Sequence, residues 1–187
     1  MQKDLPKLPA DPHSAALPNE VRTTHLDLQL TLDFEGQFAS GAATHTIERV
    51  HPDAMFFIVD THGLDVLEVS DDSGQWLPHW NGRSDPQLGT PLKIGLRDGT
   101  KQVRIAYRTT AAGEAMQWLG PEQTDGGKAP FLFTQGQSIF TRSWIPLQDS
   151  PAVRITWRAE IGVPDGLVAV MSGNQRRVDG EIGRAHV

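Results

Sequence analysis

Cysteine is absent from the 187 residues, which excludes a disulfide scaffold and any thiolate metal site. Basic runs are missing as well. Lys and Arg number 17 against 23 Asp and Glu, for a formal charge of −6. The closest thing to a basic cluster is Arg176-Arg177, so no nucleic-acid partner is expected. No segment approaches the roughly 20 apolar residues of a bilayer span, and no membrane partner is expected. Residues 1–18 are polar and Pro-rich, without the apolar centre of a secretory leader, so a cytoplasmic location is expected. No long amphipathic helix can be drawn. His-Glu-x-x-His, Gly-x-Ser-x-Gly and phosphate-binding glycine motifs are all missing.

What the chain does have is period-2 patterning broken by turns. From His25 to Phe34, Leu26, Leu28, Leu30, Leu32 and Phe34 fall on one side and His25, Asp27, Gln29, Thr31 and Asp33 on the other. Side chains alternate across a strand, so this is a strand with one wet face. Val103, Ile105 and Tyr107 alternate with Arg104 and Arg108, and Val153 to Val163 follows the same rule. Met55 to Val59 is a continuous apolar run, the pattern of a strand covered on both faces. Thirteen prolines and 18 glycines supply turn signals such as Glu35-Gly36, Asp72-Ser73-Gly74, Asn81-Gly82, Asp98-Gly99 and Pro164-Asp165-Gly166. Strands at this spacing without intervening helices predict an all-β fold, an antiparallel multi-sheet or sandwich-like domain.

Boundaries follow from the same pass. Residues 1–20, with Pro6, Pro9, Pro12 and Pro18, read as an extended arm, and 21–180 as the β domain, incomplete at its C-terminal end. The last seven residues, Glu181 to Val187, have the form of a translated sequencing-library adapter. They are expected to be non-native, with the natural chain continuing past about residue 180.

Candidate chemistry is sparse. The seven histidines show no metal-binding spacing, and His25 and His45 are expected on solvent-facing sides of strands. Asp71-Asp72 reads as a turn. Trp157 is expected in the core. Trp76 and Trp80 flank Pro78 and suit either hairpin packing or a sugar- or peptide-binding surface. Gln135-Gly136-Gln137 follows the apolar run Phe131 to Phe133. Polar amides on a short loop beside a rigid strand suit ligand orientation, but from the residues alone an ordinary turn is the better reading. Pro146-x-x-Asp149-x-Pro151 reads as scaffold, two fixed φ angles with an Asp capping its own turn.

Several segments in order resemble the N-terminal domain of the aminopeptidase N family of zinc metallopeptidases, in particular its leukotriene A-4 hydrolase branch and bacterial aminopeptidase relatives. They are Arg22 to Leu26, Gln117-Trp118-Leu119 through Pro121-Glu122-Gln123-Thr124, Gln135-Gly136-Gln137, Arg142 through Pro151, and Val168 to Ser172. The resemblance covers about residues 20–173 and implies a saddle of β-sheets packed against a catalytic domain. That domain would carry the zinc, and this chain holds none of its motifs. The resemblance also implies peptide substrates. Gln137 would help hold the substrate's free α-amine, and Gln135 would border the pocket for the first side chain. Most of the family has Glu at position 137. An amide offers the ammonium a dipole where a carboxylate offers a charge. By this reading the chain has no catalytic or metal-ligating residue and is inactive alone. Two other readings stand beside it: an Ig-like module binding sugar or peptide through Trp76, Trp80 and Trp118, and a purely structural domain.

Overall fold

The computed structural model describes residues 6–178 and 183–186. Its strands are β1 (Val21–Asp33), β2 (Phe38–Arg49), β3 (Phe56–Val59), β4 (Leu64–Asp71), β5 (His79–Asn81), β6 (Leu92–Gly95), β7 (Gln102–Thr109), β8 (Met116–Leu119), β9 (Phe131–Thr134), β10 (Thr156–Val163), β11 (Arg176–Val178) and β12 (Gly183–His186). Among the described residues the only helical pieces are short 3-10 turns, and no helix is long and apolar enough to cross a membrane. The all-β class read from the alternation is the class observed.

The strands form three sheets: β11-β12-β10-β1-β2-β7-β4, β3-β6-β5, and β8-β9. The large sheet is antiparallel except at one seam, where β1 and β10 run parallel, with Leu26 opposite Trp157 and Leu30 opposite Ile161. A parallel pair needs a long crossover. The segment from Thr110 to Ile155 supplies it and carries the β8–β9 hairpin on the way. Of the 181–187 tail, residues 181, 182 and 187 lie outside the described residues, while Gly183–His186 pairs with β10.

One face of the large sheet is buried in two patches. Val69, Val103 and Ile105 meet Phe57, Val59, Leu92 and Ile94 of the small sheet. Leu26, Leu28, Leu30, Tyr107, Ala159 and Ile161 meet Ile145, with Trp144 and Met116 packed alongside. Fully burying one such side chain stabilises by roughly 1.5–3 kcal/mol, so this face dictates the register. A one-residue slip would send every leucine of β1 into water.

Three local expectations need correction. Met55 to Val59 is not fully covered on both faces: Phe57 and Val59 are buried, whereas Phe56 and Ile58 on the opposite side of β3 are only half-buried, and Met55, just before the strand, is 64% exposed. Asn81 ends β5 rather than opening a turn. His45 is fully buried, because β2 carries it onto the core face beside Phe57, with ring centroids 5.3 Å apart.

Candidate substrate-contact loop

The β8–β9 hairpin is in register from Met116 opposite Thr134 to Leu119 opposite Phe131. The Gln135 amide adds a further rung by donating to the Ala115 carbonyl at 2.8 Å. The chain then leaves the hairpin and turns through Gly136–Phe140 into the 3-10 turn Thr141–Ser143. The Gly136 carbonyl accepts from the Phe140 amide at 2.9 Å and from the Thr141 hydroxyl at 3.4 Å. Gly136 takes no positive φ, so its constraint is steric. A Cβ there would sit 2.3 Å from Thr141 Oγ1, and a larger residue requires the threonine to rotate away.

Both glutamines are exposed. The Gln137 amide donates to Gln135 Oε1 at 3.4 Å. The Gln137 side chain has no hydrogen-bond partner among the described residues. It is a free amide on a loop whose backbone is tied at both ends.

The tie on the far side is a buried ion cluster. Arg142 is 1% exposed, and each nitrogen of its guanidinium donates a hydrogen bond. Nε donates to Asp149 Oδ2 at 3.1 Å, Nη1 to the Leu88 carbonyl at 2.9 Å, and Nη2 to the carbonyls of His13 at 2.8 Å and Asp149 at 3.2 Å. Asp60 lies 3.9 Å from Nη2. Burial pushes the Asp149 carboxyl up, and the hydrogen bonds and charge of Arg142 pull against that rise. Next door, the Ser143 hydroxyl donates to the Phe140 carbonyl at 2.7 Å and accepts from the Ala115 amide at 3.0 Å. The Tyr107 hydroxyl, its pKa raised by burial, donates to the Trp144 carbonyl at 2.8 Å. Asp149 therefore does not cap its own turn: its carboxylate faces inward and serves Arg142.

An apolar groove of about 600 Å³ runs beside the hairpin, lined by Phe131, Phe133, Trp144, Trp157, Leu167 and Met171 among others. Gln135, Gly136 and Gln137 are not among its lining residues. Trp157 packs against the core and also borders this groove. Trp76 and Trp80 are 58% and 52% exposed. Trp80 meets Phe56 edge-on in the small sheet, while Trp118 packs on Phe34 by the hairpin. Trp76 lies beside His79 of β5, so it and Trp80 belong to the small-sheet region, whereas Trp118 is on the separate β8–β9 hairpin. Among the described residues no three His, Asp or Glu side chains gather as a metal site. The residues present do not fit a zinc ion, and none is assigned to one.

The family model of the Peptidase M1 N-terminal domain matches residues 22–182, and the chain belongs to that family. It is 34% identical over 178 residues to leukotriene A-4 hydrolase of Xenopus laevis, covering 92% of this chain and 29% of that protein. It is 33% identical over 169 residues to leucine aminopeptidase 2 of Neosartorya fischeri, covering 86% and 27%. The structure of yeast LTA4 hydrolase in complex with bestatin superposes with a TM-score of 0.86 at 32% identity, covering 95% of this chain and 28% of that one. The M1 zinc metallopeptidase of Deinococcus radiodurans bound to a Tyr-Ser-Ala substrate shares the fold, with a TM-score of 0.67 at 18% identity over 92% of this chain and 41% of that one. The chain spans less than a third of the length of the curated relatives it matches.

The sequence reading missed the Arg142, Asp149 and Asp60 cluster. A signal was present: Arg142 is the one charge in the tract Ser138 to Gln148. A charge there needs a buried partner.

Proposed function

We propose that this chain is the substrate-side N-terminal part of a zinc-dependent aminopeptidase, one that removes N-terminal residues from peptides. The supporting observation is the exposed, unpartnered Gln137 amide on a loop tied at both ends, in a chain whose family relatives include leucine aminopeptidases. In this reading Gln137 Oε1 accepts a hydrogen bond from the substrate's α-ammonium, and Gln135 borders the first side chain. A neutral amide gives a charge–dipole contact, weaker than a carboxylate–ammonium pair. More of the amine's affinity then falls to acidic groups outside this chain.

Zinc is assigned to a catalytic domain outside this chain, where it would polarise the scissile carbonyl and activate water. The contribution of the residues described here is positional: they form a wall of the cleft and orient the peptide's first residue.

The test is to express the reading frame as it runs in the source genome past residue 180, alongside the 187-residue chain. The longer product should bind one zinc and hydrolyse aminoacyl-arylamides, and the 187-residue chain should do neither. A longer product without peptidase activity, or one tight zinc on the short chain, contradicts the proposal.

A further inference from the structure

The residues of the N-terminal arm do more than lead into β1. Asp11 Oδ1 accepts from the His13 amide at 2.9 Å, and the neighbouring Ser150 side chain is the largest influence holding its carboxyl below the usual range. The His13 carbonyl accepts from Arg142 Nη2 at 2.8 Å. The Ser14 hydroxyl donates to Asp60 Oδ2 at 2.5 Å, and the Ala15 amide donates to Asp60 Oδ1 at 2.9 Å. Asp60 also accepts from the Asp149 amide at 3.1 Å. Three successive residues of the arm, His13, Ser14 and Ala15, thus bond to one buried cluster, whose arginine sits in the 3-10 turn that ends the glutamine loop.

We propose that residues 11–15 act as a strap, positioning the Gln135–Gln137 loop through Arg142; what the strap does for substrate rests on the peptidase reading above. The guanidinium is the hub. It holds the loop's end by its own backbone position, the turn closed by the Asp85–Gly89 bridge through Leu88, and the arm through His13. Without the arm, Nη2 keeps only the Asp149 carbonyl among its short contacts, and Asp60 loses two of its three donors. A buried carboxylate and a buried guanidinium that lose partners draw in water or shift. The turn Thr141–Ser143 shifts with them, and the Phe140 amide bond to Gly136 O that closes the loop is the next tie along the chain. Asp11, Ser14 and Asp60 are positioning residues and need not touch substrate.

Two variants test this. Asp11→Ala/Ser14→Ala removes side-chain ties alone, and deletion of residues 1–16 removes the strap entirely. Hydrogen exchange is read on the 187-residue chain. The Phe140, Arg142 and Ser143 amides should exchange roughly tenfold faster in either variant. The central amides of β1, β2 and β7 should keep their protection, and Ser14→Thr, which retains the hydroxyl, should behave as the parent. Unchanged exchange at 140–143 in the deletion variant, with those central strands still protected, overturns the strap. So does loss of protection across those strands in Asp11→Ala/Ser14→Ala, because the arm would then be general scaffold. In the complete peptidase the same pair should raise KM for a dipeptide about fivefold with kcat within about twofold. Faster exchange with KM unmoved would leave the strap standing and count against the substrate role of the loop.

Discussion

His45 shows how one residue couples the sheet to the loop region. Its Nε2 lies 3.0 Å from the Pro146 carbonyl and its Nδ1 3.2 Å from Thr23 Oγ1. A carbonyl only accepts, so Nε2 carries the proton and Nδ1 accepts from the threonine. Burial lowers the imidazole pKa from 6.5 to about 4. Above pH 6.5 the ring is neutral folded and unfolded. Between 6.5 and about 4 only the unfolded chain takes the proton, so stability falls as pH falls, and the loss levels off below. The full loss is about 3 kcal/mol. Urea midpoints should therefore drop more steeply across this window for the parent than for His45→Gln, which keeps a donor for Pro146 without a titrating ring. Parallel pH profiles would show that His45 does not carry the effect. Arg142 is the other residue on which much depends. Arg142→Met would leave Asp149 and Asp60 without their cation, and destabilisation of about 3–5 kcal/mol is expected in chemical denaturation. A loss under 1 kcal/mol would mean that the carboxylates find other partners.

At the scale of elements, the strand alternation was legible because a half-buried strand writes its two faces into sequence at period 2. β7 follows the pattern residue by residue, and β1 does so from His25 to Thr31, past the irregularity at Thr23 and His25. His45 did not, because a histidine reads as polar whether or not its two nitrogens find buried partners. Met55 to Val59 misled in the opposite direction: apolar residues can sit on a solvent-facing sheet, and only the partner layer decides. The parallel seam at β1–β10 leaves no local mark. It depends on where a long excursion returns, which is a tertiary fact. Gly41 was passed over too, although it is the tightest point of the large sheet. It pairs with Leu30 on one side and Tyr107 on the other. Its φ is +155°, and a Cβ would stand 1.9 Å from the Gln29 carbonyl oxygen. Gly41→Ala should cost about 2–3 kcal/mol of unfolding free energy. A neutral outcome would show that β1 and β2 separate locally at little cost.

For the molecule as a whole, the fold class and the family lay open in the sequence, because many positions contribute to each. The glutamine loop was visible as a motif, and both its glutamines are exposed. Its support was not visible, since the arm at His13 and Ser14, Asp60, Leu88 and Asp149 lie in distant parts of the sequence and meet only through the folded sheets. The central claim is that this loop presents an amide to the substrate's amine. The most direct measurement compares Gln137→Ala with the parent in the proposed full-length peptidase, using an aminoacyl-arylamide substrate and an inhibitor pair that differs only in the α-amine. The claim predicts KM raised about fivefold or more, with the variant's loss of affinity confined to the amine-bearing inhibitor. Equal loss for both inhibitors, or no change in KM, would contradict it.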